Sequence, residues 1–186
     1  MHITSTVTLV AFSTDGASAL VQRSEHGPEG GGSLGFAVVS AEAPYATSFG
    51  LSSDFSPGGS SRPQRVDAKA CGERAKALKQ LLADKHFEKI EVNLNACSEP
   101  HRFGIVTAAN NDTLTSVKLE SDKGHVFFRA PAGLLDLGSG EPATTKAYLS
   151  KSRKVLVVIE RDEYSTSLHG VWRASGESFE PIAVGW

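Results

Sequence analysis

The chain has 186 residues, with 19 Lys+Arg against 21 Asp+Glu and a hydrophobic fraction of 40%. These values are those of a single folded domain spanning 1–186, and they exclude global disorder. No apolar run approaches the roughly 20 residues of a membrane helix. A formal charge of -2 leaves no basic surplus to neutralise phosphates, so nucleic acid is not expected as the main partner.

From the N-terminus, Ile3 to Phe12 is rich in Thr, Val and Leu and reads as a strand. Ser13-Thr14-Asp15-Gly16 then gives an Asp-Gly turn into a second strand, Ala17 to Arg23. Glu25 to Ser33 carries Gly27, Gly30, Gly31 and Gly32 and reads as a loop. Leu34 to Ala41 and Tyr45 to Leu51 follow as strands, and 52–63, with Ser, Gly and Pro throughout, reads as a flexible loop and internal linker.

The pattern then changes. Asp67 is a good N-cap, and Cys71, Arg74, Ala75, Leu78, Leu81 and Leu82 recur at helical spacing, which predicts an amphipathic helix over 68–84. After His86 the period becomes two: Ile90, Val92 and Leu94 alternate with Lys89, Glu91 and Asn93, the mark of a half-buried strand. From Cys71 to Asp84 the helix rises about 20 Å, and a strand returning from Glu88 to Leu94 covers about the same distance. Cys97 is therefore expected beside Cys71, and a disulfide there closes a separation of 26 residues, worth about 3 kcal/mol in the chain-entropy model. Two independent buried thiols are the alternative.

In the second half, His101 to Ala109, an Asn110-Asn111-Asp112 turn and Thr113 to Glu120 read as a hairpin. A turn at 121–124 precedes a strand from His125 to Arg129, and Leu134 to Pro142 reads as loop. Ala143 to Ser150, Lys154 to Arg161, Ser167 to Ala174 and Ser178 to Val184 complete about a dozen strands. The expected class is α+β, predominantly antiparallel sheet with one long helix.

An internal repeat is legible at an offset of 137 (149 minus 12): Phe12-Ser13-Thr14-Asp15-Gly16 leads into Leu20-Val21-Gln22-Arg23, and Leu149-Ser150-Lys151-Ser152-Arg153 leads into Val157-Val158-Ile159-Glu160. The duplicated stretches run over about 9–41 and 146–174. The first copy resembles the Phe-Ser-x-Asp-Gly hairpin of TolB-like propeller blades, and also the start of a bacterial family of predicted secreted proteins with no assigned function. Thr14 stands where such blades usually have Pro, and the second copy lacks the Asp-Gly pair. That resemblance implies an envelope location and supplies no catalytic residue.

Motifs of chemistry are scarce. None of His2, His26, His86, His101, His125 and His169 pairs with another at metal-site spacing, and no cofactor motif is present. Gly138-Ser139-Gly140 has no helix behind it and cannot form a nucleophile elbow. Trp172, His169 and Tyr164 are the residues singled out as a binding surface, suited to a protein partner or to stacking against a carbohydrate, with core packing the alternative for the tryptophan. Met1 to Thr4 lacks the basic and apolar regions of a signal peptide, so an extracytoplasmic chain of this sequence is expected to be a mature form with its leader removed. The expectation is a non-enzymatic extracytoplasmic binding or assembly module. The alternatives are a hydrolase-like enzyme with a loop-built site, for instance His26 with Asp162 or Glu163, and a cytoplasmic subunit of a larger complex.

Overall fold

The computed structural model describes residues 3–27, 32–53, 67–91, 97, 107–108 and 114–186. Its first sheet is an antiparallel meander in the order β1 (Thr4–Phe12), β2 (Ser18–His26), β3 (Gly32–Ser40) and β4 (Thr47–Ser53). The helix α1 (Ala68–Asp84) and the short pair β5 (Ile90–Glu91) and β6 (Thr107–Ala108) follow. β7 (Ser116–Val117), β11 (Thr145–Leu149), β12 (Val155–Arg161), β13 (Thr166–Ser175) and β14 (Ser178–Pro181) form the second large sheet, and β8 (Glu120–Asp122), β9 (His125–Ala130) and β10 (Gly133–Ser139) a three-stranded third.

Alternating side chains stack these elements in layers. One face of the first sheet puts Leu20, Leu34, Phe36, Val38 and Leu51 against Cys71, Ala75, Leu78 and Leu82 of the helix. Its other face puts Leu9, Phe12, Ala19, Val21 and Val39 against Val155, Val157 and Val171 of the second sheet. The second sheet turns Leu156, Val158, Trp172 and Phe179 onto Val126, Phe128 and Leu137 of the third. The order of layers is helix, first sheet, second sheet, third sheet. The run Val155-Leu156-Val157-Val158 is fully buried because β12 is covered on both faces, which is why it reads as continuous rather than alternating apolar sequence.

The helix occupies the predicted span. Asp67 caps it, its Oδ1 accepting the main-chain N–H of Lys69 and Ala70. It ends in a Schellman motif: His86 N–H donates to the Ala83 carbonyl and Phe87 N–H to that of Leu82, with His86 at φ 61°. Phe87 and Leu82 share the core beneath. Cys71 and Cys97 are joined by a disulfide, their Cα atoms 5.5 Å apart.

The two repeated turns share one hydrogen-bond pattern. Ser13 N–H donates to Ser18 O, Ser18 N–H to Ser13 Oγ, and Gly16 N–H to Ser13 O; Ser150, Val155 and Arg153 make the same three bonds at the offset of 137 (150 minus 13). Gly16 and Arg153 both have positive φ, at 67° and 58°. The turns also touch, Ser152 Oγ donating to Gly16 O at 2.8 Å.

Several segments differ from the sequence reading. Leu134 to Pro142, expected as loop, contains β10: Leu135 and Leu137 turn inward in register with β9, and the glycines that suggested a loop accommodate a bulge instead. β2 and β3 invade the expected loop at Glu25 to Ser33 because pairing with β1 carries β2 out to His26, opposite Thr4. The stretch expected as one strand up to Glu120 is divided between β7, which pairs with β11, and β8, which opens the next hairpin. β14 ends at Pro181, and Ala183 makes a single parallel bridge with Tyr45. The Asn110–Asp112 turn, most of 52–63, and the strand expectations at 92–94 and 101–106 lie outside the described residues.

Two substitutions test the turn assignments by urea unfolding. His86→Gly, which relieves an exposed side chain of the left-handed region, is expected to raise stability by about 1 kcal/mol. Gly16→Ala is expected to lower it by about 1–3 kcal/mol, because φ is positive and the new Cβ falls 2.4 Å from Ser152 Oγ.

Candidate functional site

Strand directions sort the molecule into two rims. Ser152 ties the Ser13–Ser18 and Ser150–Val155 turns together, and Ala132 N–H donates to Glu177 O beside them, so tight turns close one rim. At the other rim, the Thr166 hydroxyl donates to Val7 O and accepts Val7 N–H, joining the first and second sheets. His169 joins the second sheet to the third there. This rim carries the C-terminal ends of β2, β10 and β12 and the starts of β9, β11 and β13. His26, His125 and His169 thereby come to one end of the stack, with Glu160, Asp162, Glu163 and Tyr164.

Two histidine–carboxylate pairs flank the end of β10. His125 Nδ1 lies 3.1 Å from both carboxylate oxygens of Asp136. Gly138 N–H donates to Asp136 Oδ1 at 2.8 Å. That main-chain donor first, and His125 second, hold the Asp136 carboxyl below the usual carboxylate range. The pairing orients the His125 ring and leaves Nε2 without a partner among the described residues. His169 is bound on both sides. Its Nε2 is 2.7 Å from Leu137 O, and since a carbonyl only accepts, this nitrogen carries a proton and donates. Its Nδ1 faces Glu160 Oε2 at 3.5 Å.

Thr145, opposite Glu160 in the β11–β12 register, is buried, and its Oγ1 has no hydrogen-bond partner among the described residues. Gly140 stands beside it and beside His169, close enough that a Cβ there would lie 3.4 Å from Thr145 Oγ1.

The residues singled out from sequence fare differently. Tyr164, in the β12–β13 turn, is 70% exposed. The turn beneath it is closed by Asp162 Oδ1, which accepts the N–H of Tyr164 and Ser165. His169 is mostly enclosed between sheets. Trp172 is buried in the core against the third sheet, its ring lying over Gly170, whose absent side chain makes the room. The expected surface of three residues therefore reduces to Tyr164 with the edge of His169.

The His125–Asp136 pair was not legible because Asp136 fell in a stretch read as loop. Its signal was the alternation of Leu135 and Leu137 around it. Chemically, the rim offers one carboxylate-oriented imidazole and hydrogen-bonding groups. No hydroxyl is hydrogen-bonded to that imidazole, and no group of three or more His, Cys, Asp or Glu could hold a metal, among the described residues. No protein-family model matches the chain, and no match is found among curated proteins or solved structures.

The depressed Asp136 sets a pH dependence. A carboxyl whose folded value is lowered contributes stability that is present above its unfolded value, about 4, and is lost as pH falls through the folded one. Asp136→Ala is expected to be less stable than the wild-type chain at pH 7, and the difference is expected to shrink steadily below pH 4 in urea titrations at each pH.

Proposed function

We propose that this chain is a non-enzymatic extracytoplasmic binding or assembly module that engages a protein partner through the rim around Tyr164. The observation that carries the reading is the gathering, at one rim, of the exposed Tyr164 with titratable groups from three sheets. Tyrosine is among the residues that anchor protein interfaces, giving large contact area at small conformational cost. The extracytoplasmic part rests on the Cys71–Cys97 disulfide, since such bonds persist where the surroundings oxidise thiols. The resemblance of the first hairpin to predicted secreted proteins agrees with that location. No helix among the described residues is long and apolar enough to cross a membrane.

The enzymatic alternative draws on the His125–Asp136 pair, in which a carboxylate orients an imidazole as in general-base catalysis. It lacks a nucleophile bonded to that imidazole among the described residues, so binding is the better-supported use of the rim.

Recovery of the protein from its native compartment under alkylating, non-reducing conditions tests the proposal. The wild-type chain is expected to bring down a stoichiometric partner with neither cysteine alkylated. Tyr164→Ala is expected to reduce partner recovery about tenfold. Tyr45→Ala, 71% exposed beyond the other end of the first sheet, is expected to leave it unchanged. Equal recovery by both variants, or alkylated cysteines, would count against the reading.

A further inference from the structure

We infer that α1 is a disulfide-latched cap, standing where the repeat of the fold puts a sheet, and that a dithiol reductant releases it. The repeat carries the first half of this inference. At the offset of 137 (157 minus 20), Leu20 and Ala11 correspond to Val157 and Tyr148. Val157 and Tyr148 face the first sheet, whereas Leu20 and Ala11 face the helix. The two large sheets thus stack in the same sense, each turning the equivalent face to the layer before it. For the second sheet that layer is another sheet; for the first it is α1. Leu20, Leu34, Phe36, Val38 and Leu51 make the covered face apolar from edge to edge. At the far end of the stack, the third sheet turns Glu120, His125, Arg129 and Asp136 outward together with Phe127 and the half-exposed Leu134, a mixed face on which the paired charges predominate.

The second half concerns what holds the cap. The buried side chains of α1 are Cys71, Ala75, Leu78 and Leu82, of which only the two leucines are large. Its C-terminal end is held by Thr14, whose N–H and hydroxyl both donate to His86 O, and by Phe87 in the core. At its N-terminal end the covalent bond from Cys71 to Cys97 is the anchor. Among the described residues, the large side chains that α1 sets on the core are Leu78 and Leu82, with Leu81 partly buried beside them, and a helix with few large contacts belongs to the part of a fold that opens before the rest.

Release is a two-electron exchange. A thiolate of the reductant attacks Sγ of Cys97, the residue that retains 6% exposure against 0% for Cys71. The S–S bond breaks, and Cys71 leaves as thiolate and takes a proton. The second thiol of the reductant displaces Cys97 from the mixed disulfide, so that two thiols form and the reductant becomes a disulfide.

Limited trypsinolysis of the full chain, with and without dithiothreitol, reads the outcome. Arg74, Lys76 and Lys79 are exposed on α1 but protected by helical structure while the cap is closed. Reduction is expected to speed cleavage at these three sites about a hundredfold while leaving Arg161 and Arg173 uncut. Cys97→Ser is expected to give the same cleavage pattern without the reagent, and to gain nothing from it. Helix sites that stay uncut in fully reduced wild-type protein would overturn the latch. Cleavage at Arg161 and Arg173 rising in step with the helix sites would overturn it equally, showing the disulfide to be a staple of the whole fold.

Discussion

Over Val155 to Val158, β12 has no side that faces water, and the rest of the architecture follows from that. Val155, Leu156, Val157 and Val158 are each fully buried, pointing alternately at the first and third sheets. Each such side chain gains about 1.5–3 kcal/mol from leaving water, and the gain requires a layer on either face. Neither neighbouring sheet can serve as a cover unless its own second face is dealt with. The first sheet resolves this with a helix, the third with an outward face on which paired charges stand beside Phe127 and Leu134, and the stack ends in both directions.

The layers are registered by polar contacts at their edges rather than by the apolar interior. Ser152 joins the turns of one rim and Thr166 pins the edge of β1 at the other, satisfying a main-chain donor and acceptor that a sheet edge would otherwise expose. His169 holds β10 to the second sheet through the Leu137 carbonyl. Bonds of this kind are individually modest, about 1 kcal/mol, but they are directional and fix how one layer sits on the next. They also bind the layers together at the rim from which the exposed Tyr164 and His125 project.

What could be read from the residues alone was whatever is encoded locally. The helix was legible because its cap, its period and its change to period two at Ile90 are all written within a few residues of the bonds they make. The disulfide was legible because the expected helix places Cys71 near its start and Cys97 follows only 26 residues on. The repeated turns were legible because Ser13 and Ser150 each fold their hydroxyl back on a neighbouring N–H. The stacking order was not, since it depends on which apolar face meets which across more than a hundred residues. Trp172 shows the difficulty: alternation assigns it a face, but both faces of its sheet are buried, so no choice of face would have exposed it. The His125–Asp136 pair depends on the β9–β10 register, and that register includes a bulge between Asp136 and Ser139 that no periodic rule anticipates.

Native-state hydrogen exchange along β12 tests the layered account most directly. If this strand is the doubly covered centre, the amides of 155–158 exchange only through global unfolding, with an opening free energy equal to that from denaturant titration. Amides there that exchange through a cheaper local opening, while those of β1 or β9 remain protected, would contradict the central position of the strand and the stack built around it.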